Sequence, residues 1–146
     1  MTNERPSWDV YFAQLANHVS TRSTCKRKQV GAVIVRDKII LSTGYNGSIR
    51  RTEHCNEIGC LIENGHCIRT IHAEANAIVQ AAKNGVNIDG GSIYTTASPC
   101  FNCFKLIANS GINRIYFSEV YGQDSKVVEF ANKIGIELIS VPYATI

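Results

Sequence analysis

Short apolar segments alternate with helical patterns of about three turns from residue 71 onward, and this alternation restricts the chain to few folds. Predicted helices cover residues 71–84, 100–110 and 125–134, and predicted strands cover residues 92–97, 115–120 and 136–141. Such alternation is typical of an α/β architecture, in which helices pack against a central sheet. Because a full helix separates the last two strands, we expect these strands to be parallel, since parallel neighbours need a crossover of that size.

The N-terminal part adds one helix and one hairpin. Apolar residues in segment 8–22 recur close to the helical period, and Ser7 can cap that helix. Two short apolar runs, residues 29–35 and 38–43, are joined by Arg36-Asp37 and predict a hairpin. The sequence therefore predicts one domain with a three-layer α/β/α fold. Its mixed five-stranded sheet has an antiparallel first hairpin and parallel final strands, with helices on both faces.

Length and composition exclude several classes of protein. At 146 residues, with 45% hydrophobic and 18% charged residues, the chain is typical of an ordinary globular domain. No apolar run approaches the roughly 18 residues of a membrane span. The polar N-terminus does not resemble a secretory signal, so we expect a cytoplasmic protein. A formal net charge of +3 does not by itself indicate a nucleic-acid partner, and none is expected.

The six cysteines indicate metal ligation rather than disulfides. Cys100 and Cys103 are separated by two residues, and the other four are Cys25, Cys55, Cys60 and Cys67. Disulfides are rare in proteins that are not exported to an oxidising compartment, whereas spaced cysteines there commonly bind metal or carry catalysis.

Two short motifs supply a complete set of catalytic zinc ligands. They are His72-Ala73-Glu74 and Pro99-Cys100-Phe101-Asn102-Cys103, and each falls at the predicted N-terminus of a helix. A catalytic zinc takes three nitrogen or sulfur ligands and keeps a fourth position for water, so His72, Cys100 and Cys103 provide the required number. The positive end of the helix dipole favours the thiolate form of both cysteines.

Glu74 would complete the chemistry that such a zinc starts. Zinc lowers the pKa of its bound water toward neutrality and yields a hydroxide nucleophile. Glu74 would take the proton of that water and pass it to a ring nitrogen and then to a departing amino group. The order His-x-Glu followed by Pro-Cys-x-x-Cys is the signature of the zinc-dependent nucleobase deaminases.

Each part of the motif has a simpler explanation when it is taken alone. Cys100 and Cys103 could form a structural zinc knuckle or a redox pair. His72 could be a satisfied polar residue, and Glu74 could belong to a solvated helix face. The presence of all four, with both helix starts in place, makes coincidence a poor explanation.

Four segments resemble the cytidine deaminase-like superfamily and, within it, the deoxycytidylate deaminases. They are Gly31-Ala32-Val33-Ile34, Gly44-Tyr45-Asn46-Gly47, Ile71-His72-Ala73-Glu74-Ala75-Asn76-Ala77-Ile78 and Ser98-Pro99-Cys100-Phe101-Asn102-Cys103. The Gly-Tyr-Asn-Gly segment and the cysteine-rich loop favour the deoxycytidylate branch, whereas the other segments identify only the superfamily. The resemblance implies hydrolytic attack at C4 of dCMP, which gives dUMP and ammonia and would supply dUMP for dTMP synthesis.

The resemblance also implies substrate contacts. Asn46 would hydrogen-bond the sugar, Ala73 would place its backbone against the base edge, and Tyr121 would close over the nucleotide. The phosphate would be met near Ser23, Lys26 and Asn46.

A basic cluster before the first strand offers further cations for the phosphate. It consists of Arg22, Lys26, Arg27 and Lys28. A run of like charges is usually a solvated face, so contact with phosphate by at least one of these residues stays open.

The remaining four cysteines predict a second, structural zinc. Four thiolates complete a closed tetrahedral site, which would hold segment 44–69, a loop with little periodicity, against the end of the first helix. The predicted ligands are Cys25, Cys55, Cys60 and Cys67. His54 or His66 could replace a cysteine, and some of the thiols could simply be buried. Some deoxycytidylate deaminases resemble this arrangement, with a second zinc in that loop.

Regulation and assembly are implied only by the resemblance. Related enzymes that respond to deoxynucleoside triphosphates often have proline two places after the Gly-Tyr-Asn-Gly segment, where this chain has Ile49. Activation by dCTP and inhibition by dTTP therefore stay open, and Lys83 is either an effector contact or a solvated lysine. The family also implies a homo-oligomer, a hexamer or a smaller assembly.

Other functions compete with dCMP deamination. The same chemistry could act on cytidine, cytosine or the wobble adenosine of a tRNA. The helix before the last strand disfavours the free-nucleoside deaminases, which resemble a different, antiparallel ending. A tRNA-editing enzyme should show a stronger basic surface and has no need of four extra cysteines. A metal-stabilised binding module without catalysis is the third hypothesis, and the presence of every group that the mechanism requires opposes it.

Overall fold

The computed structural model describes residues 4–120 and 124–142. Within these ranges the elements are α1 (Trp8–Ser20), β1 (Gly31–Arg36), β2 (Ile39–Tyr45), β3 (Gly47–Ser48), α2 (Cys55–Ile58), β4 (Ile62–Glu63), β5 (His66–Cys67), β6 (Thr70–Ile71), α3 (Ala73–Lys83), β7 (Ser92–Ala97), α4 (Phe101–Asn109), β8 (Arg114–Glu119), α5 (Ser125–Ile134) and β9 (Glu137–Ser140). None of the described helices is both long and apolar enough to cross a membrane.

The central sheet has five strands in the order β2-β1-β7-β8-β9. Strand β1 pairs antiparallel with β2 and β7, whereas β7 with β8 and β8 with β9 are parallel pairs. Helix α5 provides the crossover between the last two strands, as the length of that connection requires. The predicted mixed sheet, with an antiparallel first hairpin and parallel final strands, is confirmed.

Strand residues alternate between two apolar layers on the faces of the sheet. In β1, Ala32 and Ile34 belong to the core built by α3, α4 and α5, whereas Val33 and Val35 belong to the core that contains α1. This alternation follows from the two-residue period of a strand. The three layers are therefore α1, the central sheet, and the group formed by α3, α4 and α5.

Segment 44–69 contains short regular elements, contrary to its featureless sequence pattern. Strand β3 pairs with β6, and β4 pairs with β5 to form a small hairpin. The turn of this hairpin is Asn64-Gly65, with φ angles of 51° and 79°. Positive φ at both turn residues is what a two-residue type I′ hairpin requires, and Asn-Gly is its preferred sequence. The elements in this segment have two to four residues, too few to produce a hydrophobic period.

Gly44 allows β2 to pack directly against α3. A Cβ atom at this position would overlap the carbonyl oxygen of Ala73 and the amide nitrogen of Ala77. Both are backbone atoms of the helix that carries Glu74, so neither can rotate away as a side chain could. The close approach of β2 therefore helps to set the position of α3.

We expect Gly44→Ala to lower stability by about 1–3 kcal/mol, because the new methyl group must push α3 away from β2. Thermal unfolding should show a melting temperature several degrees below that of the parent. Gly47→Ala is the matched control, because the nearest atoms there belong to the Tyr45 ring, at 3.3 Å and 3.6 Å, rather than to backbone. Equal melting temperatures for the two variants would contradict the packing argument.

Candidate active site

Two helix N-termini bring His72, Cys100 and Cys103 together. His72 is the N-cap of α3, Cys100 is the N-cap of α4, and Cys103 follows one turn later. The Nδ1 atom of His72 lies 3.6 Å from Cys100 Sγ and 3.3 Å from Cys103 Sγ. All three ligand atoms lie within 4.8 Å of one another. The structure therefore places the three residues of the two sequence motifs around one point.

The spacing and chemistry of this group fit a zinc ion. Zinc binds nitrogen at about 2.0 Å and sulfur at about 2.3 Å, so tetrahedral ligand atoms lie roughly 3.5 Å apart. Hydrogen bonds with the Cys103 thiol and with His72 lower the pKa of Cys100 to about 4. Cys100 is thus a thiolate at neutral pH, which is the form that ligates metal.

Glu74 is a buried acid beside this group. Glu74 is 4% exposed and lies in the first turn of α3, two positions after His72. Burial raises the pKa of the Glu74 carboxyl above its ordinary value. A carboxyl group in that environment gives and takes a proton closer to neutral pH than a solvated one.

A cavity of about 450 Å³ opens onto these side chains. His72, Glu74 and Cys100 line it, together with Asn46 and Ala73. Its volume lies within the range of small-molecule sites. The predicted sugar and base contacts therefore share one cavity with the predicted catalytic acid.

Two of the predicted phosphate contacts, unlike the predicted sugar and base contacts, do not line this cavity. Ser23 and Lys26 are not among the described residues that line the cavity. The Ser23 hydroxyl accepts a hydrogen bond of 3.3 Å from the Cys25 amide, and Lys26 is exposed. Tyr121 lies outside the described residues. These assignments stay predictions.

Asn46 has a structural function that its sequence position did not reveal. It is 6% exposed, its Oδ1 accepts a hydrogen bond of 2.9 Å from the Val30 amide, and its Nδ2 donates one of 2.6 Å to the Lys28 carbonyl. The side chain thereby fastens the residues before β1 to the end of β2. This contact holds the basic segment at the edge of the cavity.

The other four cysteines form a second group. The sulfur atoms of Cys25, Cys55, Cys60 and Cys67 lie within 4.8 Å of one another. Cys25 Sγ is 3.8 Å from Cys60 Sγ, and Cys55 Sγ is 3.6 Å from Cys67 Sγ. These separations match the edges of a zinc–thiolate tetrahedron, and all four residues are free thiols. We call this group the four-cysteine cluster.

Proton affinities differ within the four-cysteine cluster. Burial and hydrogen bonds with neighbouring thiols raise the pKa of Cys55 to about 12. At Cys67, burial is outweighed by hydrogen bonds from the Arg69 backbone and the Cys55 thiol, which lower its pKa to about 6. Cys67 therefore already carries negative charge at neutral pH and is ready to ligate a cation.

Neither predicted alternative ligand belongs to the four-cysteine cluster in the described part of the chain. The Nδ1 atom of His54 lies 3.0 Å from the hydroxyl of Thr24. His66 instead lines the cavity that holds Glu74.

The family model described as the cytidine and deoxycytidylate deaminase zinc-binding region matches residues 6–119. The chain belongs to this family. Zinc is therefore the metal to consider for the group of His72, Cys100 and Cys103 and for the four-cysteine cluster. The deaminase signature in the sequence is confirmed at the level of the family.

Relatives of this deaminase include a bacterial protein and several deoxycytidylate deaminases. The ComE operon protein 2 of Bacillus subtilis is 46% identical over 138 residues, which cover 94% of this chain and 73% of that protein. The deoxycytidylate deaminase of Saccharomyces cerevisiae is 35% identical, with 90% of this chain and 44% of that protein covered. The chain thus spans under half the length of the yeast relative.

A crystal structure of dCMP deaminase from the cyanophage S-TIM5, in complex with dCMP and dUMP, is similar to this deaminase throughout. The TM-score is 0.82 at 30% sequence identity, with 95% of this chain and 100% of that chain covered. The sheet order and the helix positions described above are therefore those of a known deaminase fold.

The hairpin of β4 and β5 forms a wall of the cavity that the sequence pattern did not predict. Gly65, His66 and Cys67 all line the cavity that contains Glu74. The Asn64-Gly65 dipeptide is the signal that could have revealed the hairpin. Its position beside the deaminase cavity depends on contacts between residues far apart in sequence, which a local sequence pattern does not predict.

We expect about two zinc ions per chain in this deaminase, one for each group of ligands. Cys100→Ala with Cys103→Ala should remove one, and Cys55→Ala should remove the other, because each change destroys a separate ligand set. Elemental analysis of desalted protein measures the ratio. A double variant that retains the parental zinc content would contradict the assignment.

Proposed function

We propose that the chain hydrolyses the C4 amino group of dCMP and releases dUMP and ammonia. The observation that carries this proposal is the convergence of His72, Cys100 and Cys103 beside buried Glu74 in one small-molecule cavity. Metal ligands, a proton carrier and room for a substrate are the parts that hydrolytic deamination needs. The expected product, dUMP, would enter dTMP synthesis.

We assign His72, Cys100 and Cys103 as the ligands of the catalytic zinc. When it is bound, zinc supplies a Lewis acid that makes a water molecule nucleophilic at neutral pH. Glu74 accepts one proton from the attacking water and delivers it to ring N3, and it then carries the second proton, from the new C4 hydroxyl, to the amino group. The C4–N bond breaks, the C4 oxygen becomes a carbonyl, and ammonia leaves. The raised pKa of Glu74 suits a group that must both take and give a proton.

Substrate orientation depends on the residues around this acid. Ala73 lines the cavity directly before Glu74 in sequence, which supports the predicted contact between its backbone and the edge of the base. Asn46 lines the same cavity and retains hydrogen-bonding capacity beyond its two backbone contacts, which suits a sugar hydroxyl. Ser23, Lys26 and Tyr121 stay part of the predicted substrate set.

Relatives support a nucleotide as the substrate. The yeast relative is a deoxycytidylate deaminase, and the similar cyanophage structure holds dCMP and dUMP. Cations at the cavity agree with a substrate that carries phosphate, because Arg27 and Lys28 are among its lining residues. Free cytosine or cytidine would make no use of these charges.

We assign the four-cysteine cluster to a structural zinc that orders segment 44–69 within a single domain. The cluster joins the region after α1 to α2 and to the hairpin of β4 and β5. Closed four-thiolate sites leave no position for substrate, so this metal would act as scaffold. A cytoplasmic location agrees with the reduced thiols that both sites need.

Effector binding and assembly extend the proposal. A second cavity of about 560 Å³, lined by Arg50 and Arg51 among others, offers positive charge for a triphosphate such as dCTP or dTTP. Lys83 is not among the described residues that line it. Exposed apolar side chains, Ile39 at 63% and Val79 at 56%, agree with a homo-oligomer, up to a hexamer. Light scattering with and without dCTP or dTTP measures the mass and its response.

The substrate assignment predicts a clear order of turnover. Purified protein should release ammonia from dCMP faster than from deoxycytidine, cytidine or cytosine, because only the nucleotide can use the cavity's positive charge. An anticodon stem-loop of tRNA should give no inosine. Ammonia release and product chromatography measure the panel in parallel. Faster turnover of a compound without phosphate, or of the tRNA, would contradict the assignment.

A further inference from the structure

The four-cysteine cluster borders the cavity that contains Glu74. Cys25 and Cys67 are both among the residues that line this cavity. Cys25 is 3% exposed, whereas Cys67 is half-buried. A small solute that enters the cavity therefore reaches the sulfur of Cys67 while segment 44–69 stays folded.

The sulfur of Cys67 contacts a second, buried thiol. Its Sγ atom lies 3.6 Å from the Sγ atom of Cys55, which is 3% exposed. Redox-sensitive cysteines typically combine these two features, an accessible sulfur that meets the oxidant and a neighbouring thiol that resolves the product. Cys67 and Cys55 are suited to these two steps in that order, because a solute reaches Cys67 first.

The hairpin of β4 and β5 allows this pair to close. The sulfur atoms of a disulfide are about 2.05 Å apart, so those of Cys55 and Cys67 must approach by roughly 1.5 Å. Cys67 lies on β5, which has two residues and pairs with the two residues of β4. A two-stranded hairpin is marginally stable on its own in water, so a small shift of β5 breaks little packing.

The two sulfur atoms of the catalytic group are less free to move. Cys100 also lines the cavity, and Cys103 is buried behind it. Both lie at the start of α4, whose Phe104 and Ile107 belong to the apolar core. Because a packed core resists displacement, α4 opposes the approach that the hairpin permits.

We propose that Cys67 is the site at which hydrogen peroxide oxidises this protein, and that Cys55 resolves the product as a disulfide. The thiolate of Cys67 attacks one peroxide oxygen, the O–O bond breaks, and the leaving hydroxide takes a proton from solvent. Cys67 is then a sulfenic acid. The sulfur of Cys55 attacks the sulfur of Cys67, the S–S bond forms, and the hydroxyl group leaves as a second water. Together the two sulfur atoms lose two electrons, which the peroxide gains.

This disulfide has consequences for the metal and for the cavity. The four-cysteine cluster keeps two of its four thiolates, which no longer complete a structural zinc site. The hairpin that forms one wall of the cavity is then displaced and loses its metal cross-link. Oxidation and nucleotide binding therefore oppose each other, an inference that rests on the proposed function because it needs a nucleotide in the cavity.

Treatment of the zinc-loaded protein with hydrogen peroxide tests the reaction directly. We expect release of about one zinc ion per chain, because one of the two ligand sets is destroyed. A metal indicator measures the released zinc, and peptide mapping by mass spectrometry without reduction should identify a disulfide between Cys55 and Cys67. Dithiothreitol followed by added zinc should restore both thiols and the parental zinc content.

Protection by dUMP tests the route through the cavity. At a hundred times its dissociation constant, dUMP leaves about 1% of the cavities empty. The rate of formation of the Cys55–Cys67 disulfide should then fall by about tenfold or more. The same concentration of dAMP is the control for consumption of peroxide by a nucleotide. In the oxidised protein, calorimetry should show a dissociation constant for dUMP that is raised by about tenfold, because binding must order a loosened wall.

Two matched variants separate Cys67 from the rest of the four-cysteine cluster. Cys67→Ser and Cys60→Ser each remove one of the four thiolates, but Cys60 is not among the described residues that line the cavity. Cys60→Ser should still form the Cys55–Cys67 disulfide, and dUMP should still slow it by about tenfold. In Cys67→Ser, dUMP should change the oxidation rate of the remaining cluster thiols by less than about twofold. If either variant does not fold, the peptide map and the dUMP protection of the unmodified protein decide.

Three outcomes would overturn the inference. They are a first disulfide between Cys100 and Cys103 or between Cys25 and Cys60, full retention of zinc after peroxide, and equal oxidation rates with and without dUMP in a protein that binds dUMP. Failure of the proposed function is seen separately, in unmodified protein that neither binds dUMP nor releases ammonia from dCMP. Zinc release and the peptide map still judge Cys67 in that case, since neither measurement needs a nucleotide.

Discussion

The proposed chemistry of this protein depends on the contact between the N-termini of α3 and α4. This contact places one imidazole and two sulfur atoms within zinc-ligand distance, and it puts Cys100 where hydrogen bonds stabilise a thiolate. The same contact leaves Glu74 buried in the first turn of α3. The sheet makes this geometry rigid, because β2 approaches α3 as closely as Gly44 allows. Without this close approach, α3 would be free to shift, and His72 and Glu74 would no longer keep a fixed position relative to Cys100 and Cys103.

Segment 44–69 depends on a different kind of interaction. Its elements bury few apolar side chains, and Ile58, Leu61, Ile62 and Ile68 are all exposed. Hydrophobic packing therefore contributes little to its order, whereas four converging sulfur atoms supply a strong cross-link once a metal binds. This explains how a segment with so small a core can form one wall of the substrate cavity. A metal bound there would link the order of this segment to the shape of the cavity wall that it forms.

Much of the fold could be predicted from sequence because hydrophobic periods report regular elements directly. The order of strands and helices after residue 71, the parallel final strands and both groups of cysteines follow from local patterns. The hairpin at Asn64-Gly65 was hidden because two-residue strands have no period. The contact between Arg27 and Gly65 joins residues that are 38 positions apart, so no local sequence pattern predicts it. Asn46 was predicted to contact the sugar, but its backbone hydrogen bonds become visible only in three dimensions.

Replacing Glu74 by Gln is the decisive test of its assignment as the proton carrier, because the change removes the acid while preserving the shape of the side chain. We expect dCMP turnover to fall by about 10²-fold to 10⁴-fold, the usual contribution of a general acid–base group. Zinc content and melting temperature should stay at or above the parental values, since Glu74 is not assigned as a ligand and its burial opposes its charge. Parental turnover in the fully metallated variant would exclude Glu74 as the proton carrier.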